Sequence, residues 1–146
     1  MNVLLQHTVA TIAYRFQKAI RYSLPGFGDY RLTEATRTPN EIINHMCDLL
    51  NKTNSFVTHK HFNTPSPVQL DLEGETDRLL TALQILEQTL ATTEIDTISS
   101  KRLLQGPLSD IITHIGQLAM LNGLYGHKVP KEDYSAAAVS TQKLKE

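Results

Sequence analysis

The stretch TPNEIINHMCDLL, residues 38–50, opens with a complete helix-start signal. Thr38 is a favoured N-cap residue, Pro39 suits the first helical position, and Glu41 at the third position can close a capping box. Apolar residues then recur at helical spacing, at Ile42, Met46, Leu49 and Leu50. The stretch therefore predicts an amphipathic helix that begins directly after Thr38, and we expect it to end near Asn54.

Two further segments carry apolar residues at helical spacing. One covers residues 2–23 and is broken by the proline and two glycines of residues 24–28. The other covers about residues 70–92, with acidic residues in its first turns, where the helix dipole favours negative charge. The apolar faces are Leu5, Val9, Ile12, Phe16, Ala19 and Ile20 in the first segment, and Leu72, Leu79, Leu80, Leu83, Leu86 and Leu90 in the second.

A fourth helix is predicted to open within QGPLSD, residues 105–110, after a polar connection. Gly106 can serve as its N-cap and Pro107 as its first residue, and Gly126 ends it. Its apolar stripe is Leu108, Ile111, Ile112, Ile115, Leu118 and Ala119. Residues 55–69 contain two prolines and show no helical period, so we predict a long connection there.

Four amphipathic segments in a chain of 146 residues predict an all-α fold, a four-helix bundle formed by one domain over residues 1–146. Short loops force neighbouring helices to be antiparallel, whereas a connection of 15 residues, 55–69, can run the length of a bundle. We therefore predict an up-down-down-up order with the crossover between the second and third helices. The tail from residue 127 is expected to fold back loosely.

Composition excludes several classes of function. The chain has 14 basic and 15 acidic residues, a net charge of −1 and no basic stripe, so neither nucleic acid nor a membrane is expected as a partner. The apolar start lacks the basic region and cleavage site of a signal peptide. The single cysteine, Cys47, cannot form an internal disulfide, which favours a reducing, cytoplasmic location. We interpret Cys47 as a buried, inert thiol.

Three side chains form a candidate metal site. Asp110 and His114 are four residues apart and share one face of the fourth helix, while His45 flanks the apolar stripe of the second helix. Two imidazoles and one carboxylate are a common ligand set for a divalent transition metal, and zinc, nickel, iron and manganese all fit. The alternative interpretation is that these residues are ordinary polar groups at the edges of packed helices.

The stretches TRTPNEIINHMCDLL (residues 36–50) and LLQGPLSDIITHIGQLAMLNGLYG (residues 103–126) resemble the DinB/YfiT-like family of small bacterial four-helix proteins. The similarity covers nearly the whole chain, and the family's up-down-down-up topology agrees with the order predicted above. Related proteins include thiol-dependent transferases and isomerases, in which a metal activates a low-molecular-weight thiol. The resemblance implies a metal-dependent hydrolase or thiol-dependent transferase that acts on a small molecule, and it makes a homodimer plausible.

The ligands implied by the resemblance depart from the family at one position. In the family, a histidine of the second helix joins a His-x-x-x-His motif of the last helix, which a Gly-Gln pair follows. His45 corresponds to the first ligand, and His114 with Gly116 and Gln117 corresponds to the end of the motif. Asp110 stands where the family has its other histidine, and a carboxylate can still coordinate a metal.

The sequence names no substrate and no general base, so a second function stays open. That alternative is a non-catalytic, stress-associated ligand-binding or interaction protein with a vestigial or absent metal site, which the aspartate at position 110 favours. The remaining polar candidates are interpreted as ordinary groups at the surface or in capped positions, with Gln117 as a weak candidate for contact with the site. They are Tyr14, Arg15 and Arg37, and the pair His59 and His61.

Overall fold

Helices form all the regular structure in the part of the chain that the computed structural model describes, residues 2–146, and no strand occurs there. The all-α prediction is therefore confirmed. The α-helices are α1 Val3–Ile20, α2 Pro39–His59, α3 Leu72–Thr92, α4 Thr97–Leu103 and α5 Ser109–Leu124. Short 3-10 turns at Phe27–Asp29 and Tyr134–Ala136 lie in the loop before α2 and in the tail.

The predicted start of α2 is confirmed, whereas its predicted end is wrong. The Thr38 hydroxyl accepts a hydrogen bond from the Glu41 backbone, and the Glu41 carboxylate accepts one from the Thr38 backbone. The helix continues past Asn54 to His59. Phe56 is buried and stacks on Phe62 at 4.5 Å between ring centroids, so packing extends the helix beyond its amphipathic stretch.

The predicted start of the last helix at Gly106 is also wrong. Helical structure begins nine residues earlier, at Thr97, where the Asp96 side chain accepts a hydrogen bond from the Ser99 backbone. It passes through a π-helical turn, Leu104–Leu108, in which Gly106 has non-helical dihedral angles (φ −97°, ψ −106°). Pro107, which follows, has no N–H to donate. The Gly106–Pro107 dipeptide therefore marks a kink within a longer helical segment.

The core lies between the four long helices. α2 packs against α3 and α5, and α1 packs against the same two helices. The predicted apolar faces of α1 and α3 are largely buried, but Ile112 of α5 is exposed, which corrects its predicted place in the stripe. The rest of the predicted stripe faces the core, together with further residues of α5. The buried residues of α5 are Ile111, His114, Ile115, Leu118, Leu121 and Asn122.

The connection between α2 and α3 is held by one buried carboxylate. Glu75 of α3 accepts hydrogen bonds from the backbone of Leu70 (2.8 Å) and from the side chains of Gln69 (2.8 Å), Asn44 (3.2 Å) and Arg78 (2.5 Å). These bonds join the connection to α2 as well as to α3. The connection covers residues 60–71, and residues 55–59, which were predicted to belong to it, form the end of α2.

The tail after α5 folds back onto α1, as predicted, and its contacts there are specific. The Glu132 carboxylate accepts hydrogen bonds from Tyr14 and Lys18, and Leu144 near the end of the chain is buried. Among the residues that the structure describes, none of the helices combines the length and the apolar character that crossing a membrane requires.

Candidate metal centre

α2 and α5 bring the three predicted residues together. His45, Asp110 and His114 each offer a ligand atom, and these atoms lie within 4.8 Å of one another. The Nε2 atom of His45 is 3.9 Å from Oδ2 of Asp110, and Nδ1 of His114 is 3.7 Å from Oδ1 of the same carboxylate. The two imidazole rings are 4.9 Å apart between centroids. The prediction that these three side chains converge is confirmed.

The three side chains differ in burial because of where each lies on its helix. His114 shares the inward face of α5 with Ile111 and Ile115, and its side chain is only 8% exposed. Asp110 lies one turn earlier, beside the kink, with 49% of its side chain exposed. His45, in the second turn of α2, is half-buried. The centre therefore has a closed inner wall and a side that is open to solvent.

A backbone contact determines the protonation of the His114 ring. Its Nδ1 atom is 2.6 Å from the carbonyl oxygen of Asp110. A carbonyl only accepts hydrogen bonds, so Nδ1 carries a proton, and in the neutral ring the lone pair is on Nε2. Histidine ligands of metals are commonly oriented in this way, with the other ring nitrogen donating to a backbone carbonyl.

His45 is also available as a neutral ligand. Burial lowers the pKa of His45 below its ordinary value of 6.5, and the positive charge of Arg37 lowers it further. The nearby His114 acts in the same direction, while Asp110 opposes the shift. The ring is therefore mainly neutral near pH 7, which is the form that binds a metal ion.

The carboxylate of Asp110 is not engaged elsewhere. Within residues 2–146 its oxygens accept no hydrogen bond, and Nε2 of His45 lies 3.9 Å from Oδ2. The contact of 3.7 Å with His114 is made by the protonated Nδ1 atom and not by Nε2, the atom that would bind a metal. Ligand atoms around one transition metal are about 3–3.5 Å apart, given bond lengths of about 2.0–2.2 Å. The exposed Asp110 side chain can close that difference without moving the core, so the residues present fit a divalent metal.

Arg37 is the site residue that sequence reasoning missed. We interpreted it as an ordinary surface arginine, but its Nη1 atom lies 3.5 Å from Nε2 of His114. Arg37 directly precedes the N-cap of the helix that carries His45. This position in the sequence could have indicated that its side chain lies near the site. Its guanidinium faces the same lone pair that a metal would use, and its exposed side chain can turn aside.

The other candidates lie away from the centre. Arg15 covers the ring of Tyr134 at 3.8 Å, and Tyr14 donates to Glu132, so both belong to the packing of the tail. The rings of His59 and His61 are exposed and nearly parallel, with 5.8 Å between centroids, which confirms their prediction as surface residues. Gln117 is exposed and makes no hydrogen bond to the three side chains, but it lines a cleft together with Arg37.

The prediction that Cys47 is a buried thiol is confirmed. The residue has no exposed surface, and burial raises the pKa of the Cys47 thiol to about 11, although the neighbouring Arg78 acts in the opposite direction. The reactive thiolate is therefore scarce near pH 7.

Comparison with known proteins returned no match to this chain among protein-family models, curated proteins or solved structures. The resemblance to the DinB/YfiT-like family therefore stays a prediction. His45, Asp110 and His114 together form a possible metal-binding triad.

Proposed function

We propose that the protein is a metal-dependent enzyme of the DinB-like type, a hydrolase or a thiol-dependent transferase. The observation that carries the proposal is the convergence of ligand atoms from His45, Asp110 and His114 within 4.8 Å of one another. Asp110 and His114 come from one helix and His45 from another, so the set depends on the fold as well as on local spacing. Two imidazoles and a carboxylate suit zinc, nickel, iron or manganese.

His114, His45 and Asp110 would each have a distinct role in holding a metal. His114 would bind through Nε2, because its Nδ1 proton is held by the Asp110 carbonyl. His45 would bind as the neutral ring, and the Asp110 carboxylate would offset part of the metal's charge from the exposed side. A divalent metal bound here supplies Lewis acidity, which lowers the pKa of a water or a thiol. Three protein ligands leave room for a small substrate.

An up-down-down-up bundle is part of this proposal, and three sets of contacts support it. Asn2 at the start of α1 donates to the Leu90 carbonyl near the end of α3, as expected for antiparallel helices. Asn122 near the end of α5 donates to Ala19 near the end of α1, as expected for parallel ones. The hydrogen bonds of Glu75 join the start of α3 to the start of α2. This is the helix order of the DinB/YfiT-like family.

The first test is metal content. Tag-free protein purified without chelator should carry near-stoichiometric metal by elemental mass spectrometry, or should take up zinc, nickel or manganese in a calorimetric titration. His45→Ala should abolish binding, whereas His59→Ala, an exposed histidine of the same helix, should leave it unchanged. Circular dichroism of both variants checks that the helices are intact. A wild-type protein that binds none of these metals would refute the proposal.

A second test separates an enzyme from a metal-binding protein without activity. Removal of the metal with a chelator should abolish thiol transfer or hydrolysis in a substrate screen, and re-addition should restore it, with the circular dichroism spectrum unchanged throughout. Activity that persists in the metal-free protein would exclude a metal-dependent mechanism.

One observation favours the alternative of a non-catalytic ligand-binding protein. The Arg37 guanidinium lies 3.5 Å from Nε2 of His114, and its positive charge opposes an approaching cation. Under this alternative, Arg37 would hold an anion directly, without a metal. Metal-free wild-type protein that fails to bind zinc, while Arg37→Gln gains zinc binding, would support the alternative over the enzyme.

A further inference from the structure

A cleft adjoins the metal centre on the side of Arg37. It has a volume of about 520 Å³, within the range of about 300–1,000 Å³ that small-molecule sites occupy. α2, α5 and the loop before α2 form its walls. Its lining is apolar at Leu32, Ala35, Ile42, Met120 and Leu121, and polar at Thr36, Arg37 and Gln117.

The cleft and the metal centre share Arg37. Its side chain lines the cleft and also lies 3.5 Å from Nε2 of His114. Ile42 in the cleft wall precedes His45 by three residues, so both lie on one side of α2. A molecule that pairs with Arg37 from the cleft would therefore be held by the side chain that also contacts His114.

The apolar residues of the cleft wall are partly exposed to solvent. Ile42 and Leu121 are buried and form its floor, whereas Leu32 and Met120 are 44% and 60% exposed at its rim. Contact with these side chains favours a ligand with a hydrocarbon body, because it removes apolar surface from water.

Arg37 is the charged group of the lining, and it makes no ion pair within the part of the chain that is described. Arg31 on the same loop is different, because its guanidinium donates to the Glu41 carboxylate at 2.8 Å and to the Thr36 carbonyl at 2.6 Å. A guanidinium without an anionic partner, in a cleft with apolar residues on its walls, matches the planar carboxylate group.

We infer that the substrate is a small apolar carboxylic acid, whose carboxylate pairs with Arg37 and whose hydrocarbon body lies against the cleft walls. The inference rests on the proposed function in so far as it calls the ligand a substrate. It names a ligand class that the metal residues alone do not select, because they are compatible with neutral and charged molecules alike.

The test compares octanoate with octanamide, which has the same chain length but no charge, by calorimetry on zinc-loaded and zinc-free protein. Octanoate should bind at least about tenfold more tightly than octanamide, since a charge-assisted pair is stronger than a neutral hydrogen bond. Arg37→Gln should remove this preference. Lys101→Gln, which removes a positive charge from an exposed position on α4, should keep it.

A second pair of variants tests the apolar walls. Met120→Gln should weaken both ligands by several-fold, because it replaces an apolar wall of the cleft with an amide. Leu124→Gln changes an exposed apolar residue of the same helix outside the cleft lining and should leave both affinities unchanged. Equal effects of the two substitutions would overturn the placement of the hydrocarbon body.

Failure of this inference is distinguishable from failure of the proposed function. Equal binding of octanoate and octanamide, or equal loss in the Arg37 and Lys101 variants, overturns the carboxylate inference, while zinc uptake by the same protein leaves the metal centre standing. Octanoate selectivity that depends on Arg37 in a protein that takes up no zinc supports the cleft as a carboxylate site and overturns the metal-dependent enzyme.

Discussion

Two carboxylates face neighbouring residues of α2 and have opposite environments. Glu75 of α3 meets Asn44, and its side chain is fully buried among four hydrogen-bond donors. Asp110 of α5 meets His45, is 49% exposed, and receives no hydrogen bond from the described residues. α2 thus has a closed face toward α3, where the carboxylate is fully hydrogen-bonded, and an open face toward α5.

The difference separates a structural carboxylate from one that is available for chemistry. An ionised carboxylate has about four lone-pair positions, and Glu75 uses its oxygens to hold the connection between α2 and α3. The oxygens of Asp110 remain free for a metal. Charge alone does not distinguish the two roles, whereas the hydrogen-bond partners do.

The largest expected effect is on stability at the closed face. Glu75→Gln should lower the free energy of unfolding by about 2–4 kcal/mol, because the new amide group would point N–H donors at existing donors in either orientation. Urea unfolding measures the loss. Glu73→Gln, an exposed residue in the same first turn, is the matched control and should change stability by no more than about 0.5 kcal/mol. A loss below about 1 kcal/mol for Glu75→Gln would remove the contrast between the two faces.

Substitution of Asp110, the carboxylate on the open face, should weaken metal binding without destabilising the fold. Asp110→Asn should weaken zinc binding at least about tenfold, equivalent to about 1.4 kcal/mol, because it removes an anionic ligand. The stability of the zinc-free protein should change by no more than about 0.5 kcal/mol, since the carboxylate has no hydrogen bond to lose. Calorimetry and urea unfolding of one preparation give both values. If Asp110→Asn destabilises the protein as strongly as Glu75→Gln, Asp110 is structural.

Glu41 provides an intermediate case. Its carboxylate is partly exposed and bound by the Thr38 backbone and by Arg31, and the backbone hydrogen bond is the main cause that lowers the pKa of Glu41 below its ordinary value of 4.5. Glu41→Gln should cost about 0.5 kcal/mol, because the amide oxygen can still accept from the Thr38 backbone while the ion pair with Arg31 is lost. Glu34→Gln, an exposed carboxylate in the preceding loop, should cost less.

The hydrogen bond from the Thr38 backbone to the Glu41 carboxylate also predicts how the stability of the protein changes with pH. A carboxyl group with a lowered pKa in the folded state stabilises the protein above its unfolded pKa, and this contribution is lost as the pH falls below about 4.5. Unfolding measured at pH 7 and pH 4 should therefore show a larger loss for the wild type than for Glu41→Gln. Equal losses would mean that the capping carboxylate contributes nothing.

Sequence reasoning was most accurate where the decisive contacts are local. The capping box of α2 lies within the four residues from Thr38 to Glu41, so the sequence contains both partners of each bond. Asp110 and His114 are one helical turn apart, which places them on one face of α5 whatever the tertiary structure. Those features could be predicted from spacing alone.

The errors arose where tertiary packing decides between local alternatives. Gly106 before a proline is compatible with a helix start or with a kink, and the burial of Leu103 in the core together with the Asp96 cap selects the kink. The contact of Arg37 with His114 depends on how α2 lies against α5, which hydrophobic periodicity does not specify. A long, flexible side chain is the hardest kind of site residue to place from sequence.

The smallest expected effect concerns Cys47, on the closed face beside Glu75 and Arg78. With a thiol pKa of about 11, native protein at pH 8 holds about one hundredth of the thiolate of an unfolded chain with the ordinary pKa of 9.0. Iodoacetamide should therefore leave Cys47 unmodified in native protein, as measured by mass spectrometry, and zinc binding should be unchanged. Because the folded pKa is raised, the stability linked to this thiol is lost only as the pH rises from about 9 toward 11. Rapid alkylation of native protein at pH 8 would show that the face toward α3 opens to solvent, and the contrast with the face that carries His45 would then be one of degree.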